Sequence, residues 1–124
     1  MSTSEIATVL AWHDALNTSD LDTLVSLSSD DIEIGDTSGA AQGHAALREW
    51  AQSADVNIEV GQIYYHDGVV VVEETLTSKT DPADTRTAAS AFRVVHDHVT
   101  SAFRHDDLAA ALAATEMSDE DLQV

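Results

Sequence analysis

The stretch IYYHDGVVVVEETLT, residues 63–77, decides the fold. Asp67-Gly68 is a preferred pair for a two-residue hairpin turn, whose central positions need positive φ, and β-branched and aromatic residues flank it on both sides. The spacing predicts antiparallel strands over Val56–Tyr65 and Val69–Thr77. Val69 to Val72 make both faces of the second strand apolar. Glu73 and Glu74, being consecutive on a strand, must point to opposite faces, so one carboxylate heads toward whatever packs on the inner side. Glu74 is the candidate for a group that reaches an interior pocket there.

Working outward, period-two patterning continues after the longer turn SKTDPADTR, with strands over Thr85–Val95 and Val99–His105 joined at His96-Asp97-His98. A type I′ turn there would want glycine at residue 98, where a histidine needs an uncommon positive φ. Before residue 55 the period is helical. Ser2-x-x-Glu5 forms a capping-box pattern, and Ile6, Val9, Leu10, His13 and Leu16 recur at helical spacing over residues 4–17. Ser19-x-x-Asp22 opens a second, short helix with Leu21, Leu24 and Val25 on its apolar stripe. Ile32, Ile34 and Asp36 alternate as on a strand with its acid turned inward. DTSGAAQG, residues 36–43, is a tight return into a third helix, HAALREWAQSA, on which Leu47, Trp50 and Ala54 share a face. Asp106 or Asp107 caps an alanine-rich helix, LAAALAAT, and residues 116–124 form an acidic tail expected to fray. This order gives one α+β domain over residues 1–124: a curved antiparallel sheet on three helices from the N-terminal half, with a short C-terminal helix.

Twenty-three acidic residues against 5 basic ones give a formal net charge of −18, which repels nucleic acid and anionic membranes. The acids are scattered along the chain, the pattern of adaptation to a saline environment more than of attraction for one cationic partner. The chain has no cysteine, hence no disulfide. The opening MSTSEIATVLAWHDALN lacks a basic region and a long apolar run, so neither a secretory signal nor a membrane span is expected, and a cytoplasmic location is the default expectation. The outer face of the valine strand needs a cover, and the same face of a second subunit would supply one, giving a sheet-to-sheet homodimer.

The segments WHDALNTSDLDTLVSLSSDDIEIGD, GHAALREW and AFRVVHDHVTSAFRHDDLAAAL together resemble the nuclear transport factor 2-like superfamily and, within it, the SnoaL-like group. The resemblance spans nearly the whole chain and implies a cone-shaped fold with a pocket between sheet and helices. The family's members range from ketosteroid isomerases, polyketide cyclases and dehydratases to binding modules, so the fold alone leaves the reaction open. The isomerase branch carries its aspartate after the first strand, which corresponds to Asp36. Its hydrogen-bond donors correspond to Trp12 and Ser90, poor substitutes for a tyrosine and a carboxylic acid, so steroid isomerisation is not expected.

Asp36 is accordingly the candidate catalytic base, with apolar walls expected to raise its pKa; the competing reading has it capping the DTSG turn. Trp12, His13, Trp50, Tyr64, Glu74, Ser90 and Arg104 are the candidate ligand-binding residues. The helical wheel favours His13 over Trp12 as the inward group, whereas the resemblance favours Trp12. Arg104, one of few basic residues, could fix an acidic substrate or pair with Asp36. The histidine spacings fit no metal site, and no phosphate loop or nucleophile elbow occurs, so no metal or cofactor is expected. The function expected is binding of a small, largely apolar organic molecule, with or without cofactor-free acid/base chemistry such as isomerisation, cyclisation or dehydration.

Overall fold

The computed structural model describes residues 2–36, 38–53 and 56–123, without the side chains of Ser2 and Thr3. The capping contact expected of Ser2 and the place of Ala54 lie outside those residues. The elements run α1 (Ser2–Asn17), α2 (Leu21–Ser26), β1 (Ser28–Asp36), β2 (Gly39–Gln42), α3 (His44–Ser53), β3 (Val56–His66), β4 (Val69–Ser78), β5 (Thr85–Val95), β6 (His98–His105) and α4 (Leu108–Thr115), then a 3₁₀ turn at Asp119–Asp121. One six-stranded sheet in the order β2-β1-β6-β5-β4-β3 packs its inner face on α1–α3. The sheet is antiparallel except where β1 and β6 pair in parallel. DTSGAAQG is more than a return: its second half is β2, paired with β1 from Glu33↔Gln42 to Asp36↔Gly39.

On α1 the buried stripe is Val9, Trp12, His13 and Leu16, whereas Leu10 is 41% exposed. Burial reaches round to Trp12 and Ala15 because α2 packs against that side of α1. The α2 helix is capped by Asp20, whose carboxylate accepts from the Thr23 N–H, and Ser19 before it has φ 58° and no capping role. Asn17 ends α1 by gripping the edge strand β3. Its side-chain amide donates to the Ile58 carbonyl at 2.9 Å and its oxygen accepts from the Ile58 N–H at 2.8 Å.

Alternation along β4 sends Val70, Val72, Glu74 and Leu76 inward and Val71 outward. On β3 a bulge intervenes: Val60 pairs with Glu74 and Ile63 with Val72, so Gly61 and Gln62 together face Glu73. The extra residue switches strand parity, and Ile58, Ile63 and Tyr65 all reach the inner core while Tyr64 turns outward. A second bulge, at Thr100 of β6, puts both Val99 and Ala102 inside. The β5–β6 turn is two residues, with His96 at φ 51° and Asp97 at φ 63°, so the positive-φ positions precede His98. A short hydrogen bond from the Ser4 hydroxyl to Asp97 ties α1 to that turn.

The outer face around Val71 is covered by the chain itself. Helix α4, capped by Asp107, lays Ala111 over Val71 and Ala89, and Met117 closes the patch beside Tyr64. Val71 is fully buried without a second subunit, so the valine strand supplies no ground for a dimer. The acidic tail is docked where fraying was expected. Ser118 and Asp121 form a capping box, Leu122 bridges to Tyr64, and the Gln123 N–H donates to the Ile63 carbonyl at 2.7 Å. Docking satisfies backbone groups on the outer edge of β3, which would otherwise be left open. No helix among the described residues is long and apolar enough to cross a membrane.

Candidate functional site

Glu74 lies in the middle of β4 with its carboxylate 1% exposed in the floor of the cone. His13, from the helix above, places Nε2 2.6 Å from Glu74 Oε2, and its Nδ1 is 2.8 Å from the Val9 carbonyl. That carbonyl can only accept, so Nδ1 carries a proton and one further proton is shared between Nε2 and Oε2. Whichever side holds it, the pair is neutral as a unit. The Ser90 hydroxyl, from β5, donates to Glu74 Oε1 at 2.7 Å. Arg104, from β6, brings Nε to 3.6 Å from the same oxygen. Burial by itself would push the Glu74 carboxyl up; the hydrogen bond and charge of His13, then Arg104 and Ser90, outweigh it and hold the group below the usual carboxylate range.

The walls are aromatic. Trp12 meets Phe92 edge to face at 5.3 Å between ring centroids and Trp50 at 5.9 Å, and His13 meets Phe92 at 5.1 Å. The Trp12 indole N–H is spent on the Ser28 hydroxyl at 3.1 Å, which itself donates to the Leu24 carbonyl. Both residues face inward, but in different roles: Trp12 supplies a wall with its N–H turned to Ser28, and His13 reaches the carboxylate. Between these groups remains a void of about 10 Å³ lined by Trp12, Gly35, Trp50, Glu74, Ser90 and Arg104, room for one water at most.

Two open depressions flank that void. A groove of about 480 Å³ runs between the β1–β2 hairpin and α3, with Ile34, Asp36, Ala41, Glu49 and Trp50 along it. A cleft of about 330 Å³ on the other side of Asp36 carries Arg86, Arg104, His105 and Asp106. Trp50 separates the groove from the void, and Arg104 separates the cleft from it; the guanidinium carbon sits 5.8 Å from the Trp50 ring centre.

Asp36 stands at the rim, exposed, because the hairpin into β2 begins at its pair with Gly39. Its carboxylate accepts the Ser38 hydroxyl at 2.5 Å and the Ser38 N–H at 2.8 Å. Those two bonds, with lesser help from Gly39 and Arg104, hold its carboxyl below the ordinary range. The apolar shielding expected to raise it is absent, and the side chain caps the turn. Tyr64 is also not with the others: the β3 bulge carries it to the outer face under Met117. Three residues lining the void, Gly35, Phe92 and Ala102, escaped sequence reasoning, as did Ser28 behind Trp12. Phe92 shares a face with Ser90 by period-two alternation and could have been read; Ser28 offered no sequence signal, since its role depends on where Trp12 lands. Among the described residues no group of three or more His, Asp or Glu side chains is placed to hold a metal ion.

No curated protein matches the chain. Solved structures with the same fold include a nuclear transport factor 2-like protein of unknown function from Cytophaga hutchinsonii, with a TM-score of 0.74 at 14% identity over 87% of this chain and 94% of that one. Another is a Catenulispora acidiphila protein with a ketosteroid isomerase-like fold, solved in complex with trimethylamine, with a TM-score of 0.70 at 20% identity over 91% and 95% of the two chains. A nuclear transport factor 2-like protein of unknown function from Burkholderia pseudomallei matches with a TM-score of 0.71 at 15% identity, covering 89% and 95%. Residues 9–107 match the family of SnoaL-like domains, a span that holds all six strands of the described sheet, α2, α3 and most of α1. The chain therefore belongs to the SnoaL-like domain family.

Proposed function

We propose that the chain binds a small, largely apolar organic molecule at the mouth of its cone and carries out cofactor-free acid/base chemistry on it. The observation that carries this reading is the neutral, proton-sharing His13–Glu74 pair beneath aromatic walls, with Glu74 Oε1 turned toward the void. Glu74, whose carboxyl its neighbours hold below the usual range, is the group placed to accept a proton from an activated C–H. His13 holds the other carboxylate oxygen in position. Asp36, bound to its turn, serves at the rim. Since the void admits at most a water, substrate reaches Glu74 when Trp50 and Arg104 swing aside from their positions between groove, cleft and void. The trimethylamine complex of a protein with this fold is a precedent for small organic ligands.

The chain has two tryptophans, Trp12 and Trp50, and both line the void, so intrinsic fluorescence reports on the site. A panel of cyclic ketones, enones and aromatic alcohols is titrated against the wild type and Trp50→Phe. Compounds that bind are then incubated with protein in D₂O, and exchange at the carbon next to the carbonyl is followed by NMR. Exchange lost in Glu74→Gln supports the catalytic reading. Binding without exchange favours the second reading, a binding module, for which the small void and the fully bonded Glu74 carboxylate speak.

The proposal extends to association through what α4 leaves uncovered on the outer face. A groove of about 410 Å³ between β5–β6 and α4 contains Val69, Ala91, Phe103 and Ala114. Sedimentation at twice the 13.2 kDa chain mass, lost in Phe103→Glu, supports a homodimer there; a wild-type monomer removes it.

A further inference from the structure

We infer that the mouth of the cone is built for a small organic monocarboxylate, whose charge Arg104 takes up while the carbon skeleton lies against Trp50. The inference rests on the ligand-binding reading above and names its substrate class. It starts from charge. Because the Val9 carbonyl fixes a proton on His13 Nδ1, the His13–Glu74 pair is neutral as a unit, and with the Arg104 guanidinium beside it the trio carries one net positive charge. The Arg104 Nε is buried with no hydrogen-bond partner among the described residues, and the Glu74 contact at 3.6 Å is an ion pair too long for a hydrogen bond.

The side chain is 23% exposed and lines both the inner void and the outer cleft, so a ligand entering the cleft meets it. Arg86 lines the same cleft from β5 and makes no ion pair among the described residues. Two of the 5 basic residues of the chain thus converge on one depression, with His105 beside them. Asp36 and Asp106 stand at the same cleft but both are exposed, so solvent and salt screen their charges, whereas the Arg104 Nε is buried. A planar guanidinium matches a carboxylate with two parallel hydrogen bonds. The overall charge of −18 sets the valence, because every further negative charge on a ligand is repelled by the whole molecule. The apolar part follows from Trp50, which lines the groove and the void and whose ring centre is 5.8 Å from the Arg104 guanidinium carbon, within reach of a skeleton that extends past Arg104.

The test is a titration of ¹⁵N-labelled protein, at constant KCl, with monocarboxylates from acetate to octanoate and benzoate, with their primary amides, and with phosphate. Four arginines give four Nε–H signals. The expected result is that carboxylates of growing apolar size move the Arg104 Nε signal and quench Trp50 fluorescence, that amides and phosphate do neither at equal concentration, and that Arg104→Gln weakens binding about tenfold or more. Arg104→Lys keeps the charge without the fork and should fall between. If the glutamine variant fails to fold, the wild-type titration decides. Amides or phosphate acting as strongly as carboxylates overturn the inference. So does an unmoved Arg104 signal while neutral compounds still perturb Trp50, an outcome that leaves ligand binding standing. Silence of Trp50 toward every compound, neutral or charged, removes both readings.

Discussion

His13 and Glu74, 61 positions apart in sequence, meet at 2.6 Å in a core where each is almost wholly buried. Removing one member of such a pair strands the other without a partner. Glu74→Ala is therefore expected to cost about 3–5 kcal/mol, and Glu74→Gln, which keeps a polar group against His13 and Ser90, clearly less. Urea unfolding at neutral pH measures both. Equal, small losses would mean that solvent reaches the pair.

The same pair sets an acid limit. The folded state holds the Glu74 carboxyl below its ordinary value, so its contribution is fully present above the unfolded pKa and is lost as pH falls through the lowered folded one. The wild type should lose stability on acidification over that window more steeply than Glu74→Gln. Unfolding midpoints collected from neutral pH into the acid range check this. Parallel curves would show that other carboxylates govern acid unfolding.

Tyr65 predicts the alkaline side. Its hydroxyl donates to Glu5 at 2.6 Å and accepts from the Gly68 N–H, joining α1 to the β3–β4 turn. The bond to Glu5 first, then burial, pushes the phenol up. A raised folded pKa gives stability that is complete below the unfolded value and disappears as pH rises through the folded one. Tyr65→Phe should cost about 1 kcal/mol at neutral pH, and the wild-type advantage should shrink in alkali. A constant difference across pH would assign the loss to packing.

How far the sequence could be read shows in these residues. Glu74 was found because two adjacent acids on a strand cannot both face outward. The α+β order and most element limits followed from the change of period near residue 55 and from Asp67-Gly68. Tyr64 was misplaced because a bulge at Gly61 and Gln62 inverts parity, and neither residue announces one in a strand that reads as continuous. Trp12 was undervalued because a single-helix wheel does not include α2. Asp36 is a matter of where the strand ends: alternation carries no sign that the hairpin begins there and leaves it in solvent, where Ser38 takes it up. β2 was missed because three small residues and a glutamine, all exposed, carry almost no strand signal.

Gly35 tests the groove. A β-carbon there would sit 2.6 Å from the Gly39 carbonyl oxygen and 2.9 Å from the Ala40 Cα, both backbone atoms that can yield only if β2 moves off β1. Gly35→Ala is expected to cost about 1–3 kcal/mol. It should also weaken any ligand whose binding quenches Trp50, since Gly35 lines both groove and void. Thermal unfolding and fluorescence titration separate the two effects. Unchanged stability would mean that the hairpin is looser than its pairing suggests.

Charge gives the last prediction. A net charge of −18 on a chain of 124 residues makes the compact state repel itself, and the described ion pairs do little to offset this. Of the described arginine and lysine side chains only Arg48 has an ion pair on the surface, with Asp22 at 3.8 Å, and Arg104 shares Glu74 with His13 inside. At low ionic strength the repulsion reaches across the whole molecule, whereas at molar salt the screening length falls to about 3 Å and only neighbouring charges still interact. Stability should therefore rise steeply with KCl and then flatten, with a gain of at least several degrees in unfolding temperature, roughly the effect of 1 kcal/mol or more in a domain of this size. Comparing KCl with an equally concentrated neutral osmolyte separates screening from general exclusion effects. A larger gain from the osmolyte than from the salt would show that self-repulsion is not what limits this fold.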